Sequence, residues 1–207
     1  MTTTAGDIRL LLADDQALVR GALAALLDLE PDLTVVCEVA SGDAVVPAAL
    51  VHRPDVALLD VEMPGMDGIE ATRALKQARP STRVLIVTTF GRPGFLRRAL
   101  QAGADGFVVK DTPARQLADA VRRVHAGLRV VDPVLAADSL VAGESPLTSR
   151  ETDVLRAARG GASVAAVARA LFLSEGTVRN HLSSAIGKTG TANRAEAVRV
   201  ADENGWL

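Results

Sequence analysis

Two linked units of different class are predicted: an α/β unit with a (βα)5 doubly wound parallel sheet over residues 6–126, and a small all-α helix-turn-helix unit over residues 146–207, joined by a linker at 127–145. Three observations carry this. Five short runs rich in Val, Leu and Ile alternate with helix-spaced segments, the pattern of strands covered on both faces by crossover helices. The periodicity then fades among Asp132-Pro133, Gly143 and Ser145-Pro146. Beyond them only helical spacing remains. At 207 residues the chain is long enough to close two cores.

The elements follow in order. Ile8–Ala13, Thr34–Val39, Val56–Asp60, Arg83–Thr88 and Gly106–Lys110 are the five buried strands. Between and after them, helices are expected over Ala17–Leu29, Asp43–His52, Ile69–Ala78, Phe95–Ala102 and Ala114–His125. Pro47 removes a hydrogen bond from the second of these, so a kink or a late helix start is expected there. One short helix is expected in the linker around Val134–Leu140. Thr148-Ser149-Arg150-Glu151 then reads as a capping box that opens a helix running to Arg159, where Gly160-Gly161 stop it. Helices at Val164–Leu171, Glu175–Lys188 and Arg194–Asn204 complete the second unit.

Composition narrows the class. Net charge is −2, but residues 146–207 carry eight Lys/Arg against six Asp/Glu, so the preceding part stands at −4. That excess permits a nucleic-acid partner without requiring one. Cys37 is the only cysteine, which excludes an intramolecular disulfide and suits a reducing cytoplasm. No apolar run reaches the length of a membrane span, and Met1-Thr2-Thr3-Thr4 lacks the basic start of a signal peptide. No membrane partner is expected.

Chemistry gathers at the strand ends. Asp14-Asp15, Asp60, Thr88 and Lys110 each close an apolar run, and a parallel sheet brings such ends to one edge, where α/β folds bind ligands. Three carboxylates held together repel by up to about 4 kcal/mol per pair near a surface. A hard divalent cation with oxygen ligands, most plausibly Mg²⁺, would offset this. Lys110 offers a point charge for a phosphate, and Thr88 a hydroxyl that can donate to it. An aspartate nucleophile beside Mg²⁺ and a lysine is a phosphoryl acceptor.

With these residues in place, the first unit resembles the response-regulator receiver family over nearly all of residues 6–126. The resemblance implies that Asp60 takes a phosphoryl group from the phosphohistidine of a sensor histidine kinase. It further implies that Asp15, Asp60 and the Glu62 backbone carbonyl coordinate Mg²⁺, with Asp14 acting mainly through water. Lys110 matches the family's lysine, Thr88 its switch hydroxyl and Phe107 its rotating aromatic. An aromatic near a strand start is as often plain core, and the two readings of Phe107 stand about even without the family.

In the second unit, Val164–Leu171 and Glu175–Lys188 have helix-turn-helix proportions, with Ser174 a suitable N-cap. Val178, Leu182, Ala185 and Ile186 form an apolar stripe, and the opposite face shows Gly176, Asn180, Ser183 and Ser184, with Arg179 on one flank and Thr177, His181 and Lys188 on the other. Small polar residues can enter a major groove while flanking cations meet phosphates. The stretch from Leu147 to Leu182 resembles the NarL/LuxR (FixJ) type DNA-binding domain. By that similarity Arg179, Asn180 and Ser183 are base-reading candidates, and Thr177, Lys188 and Arg194 are backbone contacts on double-stranded promoter DNA. Activation then implies a homodimer, through receiver helices or through the last helix with Trp206.

Gly187-Lys188-Thr189 ends like a P-loop, but the glycine that motif needs is replaced by Leu182, inside a helix. The expected protein is a transcription regulator and not an enzyme. Two other classes compete. An Mg²⁺-dependent aspartate-nucleophile phosphohydrolase would need a second acid in an Asp-x-Asp pattern, and residue 62 is Glu. A phospho-switched adaptor that binds protein instead of DNA would also suit the weak basic balance.

Overall fold

Every residue of the first strand except Arg9 is buried, because helices cover both faces of the sheet. In this computed structural model, which describes residues 7–89, 91, 93–133, 135–137 and 145–207, six parallel strands lie in the order β2-β1-β3-β4-β5-β6. They are β1 (Ile8–Ala13), β2 (Leu33–Val39), β3 (Val56–Leu59), β4 (Arg83–Thr88), β5 (Gly106–Val109) and β6 (Val130–Val131). The helices between them are α1 (Ala17–Leu27), α2 (Val45–His52), α3 (Gly68–Ala78), α4 (Pro93–Ala102) and α5 (Ala114–His125). The predicted α/β class holds, with one strand more than the five expected. β6 pairs Val130 with Gly106 and Val131 with Phe107, so the sheet runs five residues past the expected boundary at 126. Two residues are too few to carry a period.

Register decides what meets at the sheet edge. Ala13 pairs with Leu59, Leu59 with Ile86, and Thr88 with Val109. The residues that follow these pairs are therefore level with one another. Backbone bonds continue the ladder past the strands: the Asp60 amide donates to Ala13 O at 2.8 Å and the Lys110 amide to Thr88 O at 2.8 Å. Because the chain leaves β1 toward β2 on one side and β3 lies on the other, this edge is the topological switch point.

Local chemistry explains the helix starts nearby. A short 3-10 turn at Gly42–Ala44 precedes α2, so Pro47 falls in its first turn and the late start is realised without a kink. α4 begins at Pro93, earlier than the expected Phe95, with proline as its first residue. Asp67 caps α3 by accepting from the Glu70 amide at 2.7 Å. Gly68 opens α3 where a Cβ would stand 1.8 Å from Asp60 O, so only glycine lets α3 approach the end of β3.

The chain divides into two compact units, one built on residues up to 91 and 96–136, the other on residues 137–207. The second is helical: α6 (Ser149–Ala157), a 3-10 turn at Arg159–Gly161, α7 (Val164–Leu171), α8 (Glu175–Thr189) and α9 (Arg194–Glu203). Its core gathers Val154, Leu155, Val167, Val178, Leu182 and Ala197. The capping box at Thr148 and Glu151 forms as expected, and Ser163, Ser174 and Asn193 cap the later helices. Residues 134 and 138–144, on which the expected linker helix at Val134–Leu140 largely falls, lie outside the described residues. Among the described residues no helix is long and apolar enough to cross a membrane.

Candidate phosphoacceptor pocket and helix-turn-helix face

Asp14 and Asp60 are each 3% exposed, whereas Asp15 reaches solvent. One carboxylate oxygen from each of the three lies within 4.8 Å of the others. Lys110 bridges the buried pair, with Nζ 2.7 Å from Asp14 Oδ2 and 2.8 Å from Asp60 Oδ2. The second oxygens differ. Asp14 Oδ1 accepts from the Gln16 amide at 2.9 Å, while Asp60 Oδ1 is buried without a hydrogen-bond partner among the described residues.

That asymmetry has an electrostatic cost. Burial pushes the Asp60 carboxyl above the ordinary carboxylate range, Lys110 pulls it back by hydrogen bond and charge, and Asp14 adds to the rise. Burial alone would lower the Lys110 ammonium, but its bonds to Asp14 and Asp60 outweigh this and raise it, so Lys110 stays charged. One ammonium thus faces three carboxylates. The donor set is entirely oxygen, with a free buried carboxylate oxygen aimed into it, which suits a hard divalent cation.

Thr88 ends β4, is 1% exposed, and stands beside Lys110 through the backbone bond already described. Phe107 is fully buried on β5 between Ile86 and Val131. Glu62 carries an exposed side chain, and its carboxylate is not part of the acidic cluster.

In the second unit, α7 and α8 are joined through Phe172, whose backbone is left-handed at φ 56°, Leu173 and Ser174. Val178, Leu182 and Ala185 bury one face of α8. Arg179, Asn180 and Ser183 are exposed on the other, and Thr177 is half-buried with Oγ1 2.8 Å from Ser174 Oγ. The two other expected phosphate contacts are engaged within the domain. Lys188 Nζ lies 2.8 Å from Glu151 Oε2, and Arg194 donates to Ala162 O at 2.6 Å. Ser184 donates to Glu151 Oε1 at 2.6 Å.

The response regulator receiver domain family matches residues 10–122, and the family of bacterial regulatory proteins of the luxR type matches residues 145–201. The chain is a response regulator. It is 42% identical to the transcriptional regulatory protein YvfU of Bacillus subtilis over 97% of this chain and 100% of that protein. It is 40% identical to the transcriptional regulatory protein DesR of the same species, over 97% and 99%. Among solved structures it is similar to the response regulator ChrA of a heme-sensing two-component system, with 36% identity, TM-score 0.59, and coverage of 98% of this chain and 100% of that one. Receiver and luxR-type domain together make this response regulator a DNA-binding transcription regulator of the two-component class.

Sequence reasoning missed the role of Glu151. Read as a local cap, it is also a carboxylate 4% exposed whose two oxygens receive Ser184, Lys188 and the Thr148 amide. Burial would raise its carboxyl, but the Lys188 and Ser184 hydrogen bonds and those of Thr148 hold it down at about 2. The only advance signal is the helical spacing of Ser184 and Lys188, which puts both side chains on one side of α8.

Proposed function

We propose that Asp60 is the phosphoacceptor of this response regulator and that its phosphorylation by a sensor histidine kinase controls binding to double-stranded promoter DNA. The observation that carries the reading is Asp60 Oδ1, a buried carboxylate oxygen free of hydrogen bonds beside a lysine and two further carboxylates. As Oδ1 attacks phosphorus, a P–O bond forms and the donor's P–N bond breaks, its electron pair returning to the imidazole, which takes up a proton. Lys110 keeps one Asp60 oxygen oriented and offers its charge to the incoming phosphoryl oxygens. Thr88, at the same strand-end level, supplies a hydroxyl for the phosphoryl group, and Phe107 packs behind it as the switch aromatic. Mg²⁺ fits Asp15, Asp60 and the Glu62 carbonyl, with Asp14 through water, and there it supplies the charge neutralisation that phosphoryl transfer between anions requires.

The domains are taken as receiver 6–126, linker 127–145 and DNA-binding 146–207. On α8, Arg179, Asn180 and Ser183 face bases and Thr177 faces the backbone, with activation through a homodimer whose two helices meet half-sites about one helical turn apart. The setting is cytoplasmic. The protein acts as a regulator rather than a turnover enzyme, since the acid two residues beyond Asp60 that a phosphohydrolase would need, Glu62, does not join the cluster. The test is acyl-phosphate formation on the full chain with a small-molecule phosphoryl donor and Mg²⁺, read by intact mass. Wild type should gain one phosphoryl group and Asp60→Asn none. Labelling of Asp60→Asn to the wild-type level would refute the assignment.

A further inference from the structure

Two cations on α8 are held in different ways. Arg179 pairs with Glu175 on its own helix at 2.6 Å, with both side chains half or more exposed, a contact that water and DNA phosphates can displace at little cost. Lys188 instead crosses to α6, where a nearly buried carboxylate receives it together with Ser184. Ser184 and Lys188 sit one turn apart on α8, so Glu151 grips two successive turns of that helix at once. Its remaining capacity goes to the Thr148 amide at 2.7 Å, while its own amide donates to Thr148 Oγ1 at 3.3 Å. Both carboxylate oxygens are engaged, and α6 is anchored by the fully buried Val154 and Leu155.

The apolar stripe of α8 and this polar grip do different things. Burial of Val178, Leu182 and Ala185 is non-directional and tolerates a small roll or slide of the helix. Hydrogen bonds of 2.6 and 2.8 Å to two oxygens of one rigid carboxylate do not. Base readout needs side chains placed to within about 0.5 Å, so the roll of α8 decides which groups reach a base edge.

We propose that Glu151 is a positioning residue for sequence readout, clamping the recognition helix through Ser184 and Lys188, and that Lys188 serves this clamp instead of contacting DNA phosphate. The proposal rests on the reading of α8 as the DNA-facing helix. It separates two quantities that a phosphate contact would join: sequence preference, set by the position of α8, and salt dependence, set by the number of phosphates neutralised.

The experiment uses the full chain and two duplexes of equal length, one the tightest fragment the wild type selects from genomic DNA, the other a scrambled version. Affinities are measured across a salt series. Lys188→Gln should keep the wild-type slope of log affinity against log salt while the preference for the selected duplex falls about tenfold, the size of one lost base contact. Lys188→Arg, which keeps a cation for Glu151, should restore the preference. A slope reduced by about 0.9 with preference intact would mean a lost phosphate contact and would overturn the proposal. If fluorescence of Trp206, the single tryptophan, shows that Lys188→Gln does not fold, Glu151→Gln decides: lost preference without a shallower slope supports the clamp, and unchanged preference overturns it. Failure of the wild type to select any duplex would instead overturn the DNA-facing reading itself, and the clamp with it.

Discussion

Asp60 and Glu151 are both buried carboxylates facing a lysine, and their surroundings drive them in opposite directions. Asp60 shares Lys110 with Asp14, keeps one oxygen without a hydrogen bond, and has its carboxyl pushed up by burial. Glu151 has Lys188, Ser184 and the Thr148 amide to itself and is held at about 2. Burial is shared, so burial does not mark a reactive group. The mark is unfilled hydrogen-bonding capacity in a cluster with too few cations, and in this response regulator it separates the reactive carboxylate from the structural one.

The strongest way to break the comparison is to remove the satisfied carboxylate. Glu151→Ala takes away the capping box, worth about 1 kcal/mol, and the charged hydrogen bonds to Lys188 and Ser184, worth about 1.5–3 kcal/mol for such a group. The helical domain should lose about 2–4 kcal/mol. Trp206 lies in that domain and is the only tryptophan, so urea unfolding followed by its fluorescence reads this loss apart from the receiver. A change under about 0.5 kcal/mol would mean that the cross-helix bonds contribute nothing in solution.

The two sites were not equally legible in the sequence. The pocket could be read because apolar runs stop at Ala13, Leu59, Thr88 and Val109, and parallel register brings whatever follows them together. Chain order alone supplies that geometry. Glu151 was visible only as a cap, since its partners Ser184 and Lys188 lie 33 and 37 residues away across a helix packing that no short-range pattern encodes. For the same reason Lys188 and Arg194 looked like free cations for phosphate, whereas one meets a carboxylate and the other a backbone carbonyl. β6 escaped because two residues have no period, and its pairing with β5 is long-range.

Acid sharpens the contrast. Glu151 has its folded value depressed to about 2 from an ordinary 4.5, so its contribution is fully present above about pH 4.5 and is lost as pH falls through about 2. The amount at stake is up to about 3 kcal/mol. The Trp206 transition should therefore weaken steadily across that window in wild type. Glu151→Gln, which keeps the acceptor oxygen but cannot titrate, should flatten the dependence, and equal slopes for the two proteins would contradict the assignment.

The smallest effect expected is also the most telling about the pocket. Asp60→Asn removes one of two buried charges that compete for Lys110, and the lysine keeps its 2.7 Å contact with Asp14. The mutual repulsion of Asp14 and Asp60 disappears with it, while an amide in place of the carboxylate is less costly to bury. The receiver should consequently be unchanged or more stable by up to about 1 kcal/mol, in contrast to the loss at Glu151. Hydrogen exchange of the β3 amides at Val56–Leu59 measures this without a tryptophan in the domain. Faster exchange in Asp60→Asn would mean that Asp60 is held as firmly as Glu151, and the free oxygen would no longer distinguish a reactive carboxylate from a structural one.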